Sequence, residues 1–268
     1  MQRKTIASIV IYKHDYEELE PTLNSLIHSP DIDKIILVDN DQSTWANTSL
    51  HEKIHYIKSE GNFGFGYGHN KAIKAFAEEA DFFIICNPDI AFEKEQLKNL
   101  LNYAESSSKG LFLPKIIKGD GSNQQGARLL PTPLNLFARR FSPKLAEKLD
   151  KKYLLESFKE DKPIEVPNLI GCFLVFKSKA LIELNGFDER FFMYMEDIDL
   201  SRRCYEKFGA VYYPLAHVTH LHEQGSYKNP VLLKAHIKSA IQYFNKWGWA
   251  IDSRRNKINK NCLKQVER

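Results

Sequence analysis

Over roughly its first ninety residues the chain alternates short apolar runs with longer amphipathic stretches. Thr5 to Tyr12 (TIASIVIY), Lys34 to Val38 (KIILV) and Asp81 to Cys86 (DFFIIC) are rich in β-branched and aromatic residues without regular polar alternation. That is the pattern of strands covered on both faces. His55 to Ile57 predicts a further short strand. Asp15 to His28 places Leu19, Leu23, Leu26 and Ile27 at helical spacing, and a second helix is expected from near Asn70 to Glu79. Such alternation predicts an α/β fold with a mostly parallel central sheet and helices on both faces. Ligands of such sheets gather beyond the carboxyl ends of the strands. Asp39, the glycine-rich stretch at 61–70 and Asp89 should therefore converge on one crevice.

The second half is less regular. Leu111 to Ile117, Leu169 to Phe176 and Ala210 to Tyr213 read as strands. Ser178 to Leu184, Glu196 to Phe208 and Val231 to Trp247 read as helices, the last followed by a polar, basic tail. Pro131 to Lys159 is basic and amphipathic.

Composition narrows the function classes. The 268 residues suffice for one large domain or two small ones. A net charge of +4 is too small an excess to argue for a nucleic-acid partner. Cys86, Cys172, Cys204 and Cys262 form no CxxC pair and are expected to be free, buried thiols in a reducing compartment. The basic N-terminus runs straight into a strand pattern, so neither a signal peptide nor an anchor is expected. No window approaches the ~18 consecutive apolar residues of a membrane span.

Four stretches carry candidate chemistry. GNFGFGYGHN (61–70) holds glycines at 61, 64, 66 and 68. A dinucleotide GxGxxG fails, because His69 and Lys71 stand where the third glycine belongs, and no Gly-Lys-Ser/Thr follows for a phosphate loop. A loop that lets backbone approach a flat ligand and a plain turn both remain open. Asn87-Pro88-Asp89 ends a buried strand; Asp89 there suits Mg²⁺ or Mn²⁺, or simple turn chemistry. Glu196, Asp197 and Asp199 crowd a helix start, complementing the macrodipole or presenting a general base beside an apolar wall. Helical spacing groups Glu196 with Asp199 and turns Asp197 elsewhere. His217, His220 and His222 follow a strand; one could join Asp89 at a metal, or all could be surface residues.

Taken in order, SIVIYKHD, IILVDND, GNFGFGYGHNKAI, FFIICNPDI, GCFLVFKSKALIELNGFDERFFMYMEDIDLSRR and PLAHVTHLHEQGS resemble the family-2 glycosyltransferases of GT-A fold. The similarity is greatest to the bacterial rhamnosyltransferase-like branch that builds O-antigen and other surface polysaccharides. The combination of NPD, GFDERFF and EDIDL is the specific part. This resemblance implies a glycosyltransferase domain over 1–228, with a C-terminal helix and basic tail over 229–268. It implies that Asp39 recognises the nucleotide base and that Asn62, Gly64 and Asn70 belong to a loop closing over the nucleoside. Asn87 and Asp89 take the D-x-D position, with Asn87 departing from its acidic first residue. Asp89 and His220 would contact Mg²⁺ or Mn²⁺, Asp197 would be the catalytic base, and Gly171 and Glu196 would lie on the acceptor side. Lys13-His14-Asp15 replaces a common Thr-Tyr-Asn. The implied donor is dTDP-rhamnose and the implied acceptor a lipid-linked saccharide, with the protein cytoplasmic and peripheral at the inner face of the cell membrane. Residues 128–152 and 247–268 are basic segments that either touch that membrane or are ordinary solvated segments, the first covering the active site. The alternatives are the same fold using a UDP-sugar donor, or a non-catalytic nucleotide-sugar binder. A nucleotidyltransferase is disfavoured, because KHDYEELE (13–20) lacks the glycine-rich basic loop it needs.

Overall fold

The structure is a computed structural model that describes residues 3–46, 51–136, 143–221 and 230–266. Strands β1 (Thr5–Ile11), β2 (Lys34–Asp39), β3 (Ile54–Lys58) and β4 (Phe82–Cys86) pair in parallel in the order β3-β2-β1-β4. Every residue of β1 and β4 is buried, which accounts for their unbroken apolar runs. The strands that follow are β5 (Ile90–Ala91), β6 (Leu111–Lys118), β7 (Asn123–Gln124), β8 (Ala127–Arg128), β9 (Ile164–Glu165), β10 (Asn168–Leu169), β11 (Phe173–Lys177) and β12 (Ala210–His220). β11 runs antiparallel between β4 and β6, and β12 lies parallel to β6. β8 and β10 form a separate two-stranded ribbon. The strand order reverses beside β1, so a crevice opens where β1 and β4 end.

The helices are α1 (Tyr16–Ile27), α2 (Phe65–Phe76), α3 (Lys94–Ser106), α4 (Pro143–Tyr153), α5 (Ser178–Glu183), α6 (Glu196–Phe208), α7 (Pro230–Trp247) and α8 (Ser253–Val266). A capping box opens α1: the Asp15 carboxylate accepts from the Glu18 N–H at 2.9 Å, and Glu18 accepts from the Asp15 N–H at 3.2 Å. α1 then buries Leu19, Leu23 and Leu26 at the spacing read from the sequence.

Two boundaries differ from expectation. α2 begins at Phe65 rather than near Asn70, so Gly66 and Gly68 are helical. Each glycine costs about 1 kcal/mol of helix propensity. Packing overrides that cost, because a Cβ on Gly66 would lie 2.8 Å from Phe187 Cβ and one on Gly68 would lie 2.8 Å from both Val10 methyls. These two glycines let α2 sit against β1 and the 187 turn. β12 also runs beyond Tyr213 to His220. A bulge between Tyr213 and His217 absorbs Pro214, and the strand resumes beside Lys115–Lys118. His217 and His220 are thus strand residues, whereas His222 lies outside the described residues.

The C-terminal part forms two helices, where one helix and a polar tail were expected. α7 packs Tyr243 and Phe244 into a small second core with Leu130, Phe191, Met195 and Ile198. Ahead of α8, Asp252 receives both Arg202 guanidinium nitrogens, at 2.7 and 3.0 Å, and the same guanidinium stacks 3.9 Å from the Trp247 ring centroid. Of the basic stretch Pro131–Lys159, α4 covers 143–153. Leu129 and Leu130 are buried, Leu136 packs against the second core, and 137–142 (Phe141 and Arg139-Arg140 included) lies outside the described residues.

Candidate active site

The crevice at the ends of β1 and β4 is a cleft of about 440 Å³. Val10 and Tyr12 reach it from β1, Asn40 from the end of β2, and Asn87, Pro88 and Asp89 from the end of β4. Backbone bonds fix that last turn. The Asn87 N–H donates to Cys172 O at 2.8 Å, Thr22 Oγ1 donates to Pro88 O at 2.7 Å, and the Leu221 N–H donates to Asp89 O at 2.8 Å.

Asp89 and His220 meet inside the cleft, with His220 Nε2 3.1 Å from Asp89 Oδ1. His220 Nδ1 lies 2.9 Å from Gln124 Oε1. A neutral ring donating there turns the Nε2 lone pair toward the carboxylate. Asp89 Oδ1 is buried and makes no aligned hydrogen bond among the described residues, even with His220 at ion-pair distance. Two acceptors facing each other need a cation or a proton between them. Their separation suits two adjacent ligands of one Mg²⁺ or Mn²⁺, about 3 Å apart when metal–ligand bonds are near 2.1 Å. Among the described residues no group of three or more His, Cys, Asp or Glu gathers for a metal. Among the described residues the cleft therefore offers a cation two donors at this point, which fits a metal whose other ligands are phosphate oxygens and water.

The opposite wall is the start of α6. Tyr194 and Met195 hold φ of +67° and +69°, two successive left-handed residues that aim the helix N-terminus into the cleft. Asp197 Oδ2 accepts from the Gly171 N–H at 3.0 Å and Oδ1 from the Ile198 N–H at 2.8 Å. A Cβ on Gly171 would lie 2.9 Å from Asp197 Cβ, so this approach requires glycine. Burial pushes the Asp197 carboxyl above its ordinary range, and those two N–H groups together with nearby Arg128 only partly offset it. Glu196 is pushed much further by burial and then by the Asp197 charge, so it keeps its proton while Asp197 is ionised. Glu196 Oε2 is buried with no hydrogen-bond partner among the described residues. Both carboxyls line the cleft and also a smaller adjoining cavity of about 190 Å³, walled by Asn135, Leu136, Tyr153 and His236. Arg128 borders both spaces, its Nε donating to Gln125 O at 3.1 Å.

Residues 8–184, about two thirds of the chain, match the sequence profile of glycosyl transferase family 2. The chain belongs to that family. It is 29% identical over 225 residues to the N-acetylglucosaminyl-diphospho-decaprenol L-rhamnosyltransferase of Mycobacterium tuberculosis (strain ATCC 25618 / H37Rv), covering 76% of this chain and 72% of that one. It is 26% identical over 247 residues to the rhamnosyltransferase WbbL of Escherichia coli (strain K12), covering 88% and 91%. Among solved structures, Staphylococcus aureus TarS 1-349 in complex with UDP-GlcNAc superposes with a TM-score of 0.61 at 14% identity, over 97% of this chain and 71% of that one. GalNAc-T7 with UDP, GalNAc and Mn²⁺ superposes with a TM-score of 0.64 at 14% identity over 92% of this chain, which spans about half (48%) of that protein. These superpositions establish the GT-A glycosyltransferase fold. The chain is a glycosyltransferase, related to rhamnosyltransferases.

Within this family-2 enzyme the structure brings together most of the residues singled out from sequence. Asn62, Gly64, Asn87, Asp89, Gly171, Glu196, Asp197 and His220 all line the one cleft. Two do not reach it. Asp39 is 0% exposed, and its carboxylate accepts from the Asp41 and Gln42 N–H groups, Ser43 Oγ and Tyr56 OH. Burial works against its charge, but those donors win and hold it below the usual carboxylate range. The neighbouring Asn40 faces the cleft instead, with a buried Oδ1 that has no hydrogen-bond partner among the described residues. Asn70 is the second correction. Its amide clamps the Phe187 N–H and C=O at 2.8 and 2.9 Å and donates to Glu189, so it fixes the GFDER turn rather than a nucleoside. The helical-spacing grouping of the acidic cluster also fails. Glu196 and Asp197 share the cleft, whereas Asp199 is fully buried among Arg203, Lys246 and the Trp247 indole.

Sequence reasoning missed Arg128, Gln124 and Asn40 as cleft residues. Arg128 was read as part of a basic stretch and Gln124 stands on the two-residue strand β7, with no local pattern to mark either. Asn40 stands one residue past the expected base-recognising aspartate, a register that only the turn geometry settles.

Proposed function

We propose that this glycosyltransferase moves a sugar, rhamnose from dTDP-rhamnose, to a hydroxyl of a lipid-linked saccharide in one inverting displacement. Residues 1–228 act as the catalytic domain and 229–268 as its extension, working at the inner face of the cell membrane. One observation carries the reading. Asp197, an anion held by two backbone N–H groups, stands where the larger cleft meets the smaller cavity, and the same cleft holds the Asp89–His220 pair. The two relatives described above are both rhamnosyltransferases, one named for a diphospho-decaprenol-linked sugar, and this supports the donor and acceptor classes.

In this mechanism the nucleotide lies beyond β1 and β2 against Val10, Tyr12 and Asn40. Asp89 and His220 would hold Mg²⁺ or Mn²⁺, which when bound neutralises charge on the diphosphate. Arg128 adds a fixed positive charge beside the reacting centre. An acceptor hydroxyl rising from the smaller cavity gives its proton to Asp197, whose raised affinity suits a base working near neutral pH. That oxygen bonds to the anomeric carbon as the bond to the diphosphate oxygen breaks on the opposite side. The Gly171 and Ile198 N–H groups keep the carboxylate aimed, and neutral Glu196 adds no second anion next to it. Positioning and electrostatics carry the step.

The test is nucleotide release from a panel of nucleotide sugars, with a lipid-linked N-acetylglucosamine acceptor, with and without Mg²⁺ or Mn²⁺. Release of dTDP from dTDP-rhamnose that depends on metal and acceptor is expected. Turnover of a UDP-sugar alone would overturn the rhamnosyl assignment, and nucleotide binding without release in the presence of acceptor would overturn the catalytic one.

A further inference from the structure

Charge is unevenly spread along this chain. Residues 230–266 hold eight basic side chains and a single acidic one, Asp252, so this stretch carries +7 and leaves the rest of the +4 chain at −3. The two helices in the stretch use their surfaces differently. α8 turns Cys262, Ile258, Leu263 and Val266 inward onto the two cores and exposes Lys257, Lys260, Asn261 and Lys264. Its outer face is wholly polar.

α7 does the reverse. Its inner face packs Tyr243 and Phe244 into the second core, and Ser239 donates to Met193 O at 2.8 Å. On its outer arc stand Lys234, Ile237, Lys238, Ile241 and Asn245, within about 100° of one another at 3.6 residues per turn. Ile237 is 42% exposed and Ile241 41%. Just beyond the helix end, Trp249 is 41% and Ile251 90% exposed. α7 contains no acidic residue at all. Isoleucines interleaved with lysines, then an exposed Trp and Ile, match an amphipathic face that lies in a headgroup layer rather than one that meets water. No described helix is long and apolar enough to cross a membrane, so the contact is one of lying on the surface.

We infer that the outer face of α7, continued by Trp249 and Ile251, seats this protein on an anionic lipid bilayer. The inference rests on the proposed lipid-linked acceptor and names the surface that brings the enzyme to it. It replaces the contact expected from segments 128–152 and 247–268 as wholes. In those segments Leu129, Leu130, Ile258 and Leu263 point into the protein, whereas Leu134, Trp249 and Ile251 are the large apolar residues turned out. The location is consistent with use. His236 on the inner side of α7 lies 4.8 Å, ring to ring, from Tyr194, and both line the cavity adjoining Asp197. One helix diameter, about 10 Å, then separates the bilayer face from the acceptor cavity.

The experiment is flotation of the full chain with vesicles of phosphatidylcholine alone and of phosphatidylcholine mixed with phosphatidylglycerol, at low and high salt. Binding is expected on the anionic vesicles only and should weaken with salt. The double variant Ile237→Glu with Ile241→Glu should lower the partition coefficient by about tenfold or more, and Lys234→Gln with Lys238→Gln by about fivefold per lysine. Leu215→Glu, at a more exposed apolar site on β12, should leave it unchanged. Urea midpoints of each variant confirm that it folds. Failure of the wild-type chain to float on anionic vesicles, or flotation of Ile237→Glu/Ile241→Glu at the wild-type level, overturns the inference. So does a dimer in light scattering that this double variant dissociates while vesicle binding is absent, which would assign the face to a second copy. Nucleotide release in vesicle-free solution, with metal and a detergent-solubilised lipid-linked acceptor supplied, keeps the two readings apart: release without flotation sinks the membrane seat alone, and flotation without release sinks the transfer reaction proposed above alone.

Discussion

Gly64 sits at φ +109° and ψ 174°, a backbone region that glycine alone populates freely. An alanine there would place Cβ 2.0 Å from the carbonyl oxygen of Phe192 and 2.9 Å from its Cα. That same carbonyl accepts the Phe65 N–H at 3.0 Å and so fixes the first turn of α2. Three costs follow for Gly64→Ala. The backbone conformation costs about 1–3 kcal/mol. Moving the Phe192 segment away costs roughly 1–3 kcal/mol, as overpacking does elsewhere. Loosening the Phe65 bond costs about 1 kcal/mol. These overlap, so about 3 kcal/mol is expected. Gly121 provides the reference, because it too has positive φ (+83°) but nothing lies within 4 Å of its Cβ position. Gly121→Ala should then cost only the backbone part, about 1 kcal/mol. Urea unfolding of both variants, with m-values checked for constancy, measures the difference. A Gly64→Ala midpoint no lower than that of Gly121→Ala would refute the packing argument. If donor affinity fell at the same time, Gly64 would also serve the nucleotide sugar, as its place in the cleft wall allows.

Three other outcomes follow from the same physical reasoning. Asp252→Ala leaves the almost fully buried Arg202 guanidinium with Glu206 as its remaining carboxylate partner among the described residues, so unfolding stability should drop by about 3 kcal/mol; a loss under about 1 kcal/mol would mean the pair does not tie the C-terminal helices to α6. Burial lowers His69 from an ordinary 6.5 to about 3. The unfolded chain therefore takes up a proton below pH 6.5 that the folded chain refuses, and stability present above pH 6.5 falls as pH drops, by at most about 1.4 kcal/mol per pH unit for this group. Urea midpoints across that range should fall less steeply in His69→Gln than in the wild type, and equal slopes would sink the assignment. Asp197 must be ionised to act, so kcat/KM should rise with pH through a value above the ordinary carboxylate range; Glu196→Gln should leave that limb in place, whereas a clear downward shift would show that Glu196 is charged at working pH.

How much of this was legible beforehand can be argued residue by residue. The unbroken apolar runs of β1, β2 and β4 placed the parallel half of the sheet, because strands buried on both faces leave no polar alternation to misread. The strand-end rule then led to Asp89, and the order of short motifs led to Asp197 and His220. Local patterns failed where tertiary packing chose the outcome. The glycines of α2 looked like a loop because their helical role depends on Phe187 and Val10, distant in sequence. Glu196 and Asp199 looked like neighbours on a uniform helix, but the first turn of α6 is set by two left-handed residues before it. Asp39 looked exposed at a strand end, and only the 39–43 turn shows its carboxylate closed over by its own chain. Arg128 and Gln124 lie on two-residue strands with no periodicity to reveal them, and Gly126 between them permits the close packing of that segment on Leu113.

The central claim is that Asp197 takes the acceptor proton in a cleft that binds the donor without it. Single-turnover transfer to the lipid-linked acceptor by Asp197→Asn, with donor binding measured by calorimetry on the same protein, tests it most directly. The account predicts transfer slower by about 10²–10⁴-fold with donor affinity nearly unchanged. Transfer within about tenfold of the wild type would contradict the base assignment, and loss of donor binding would move Asp197 from the proton to the nucleotide sugar.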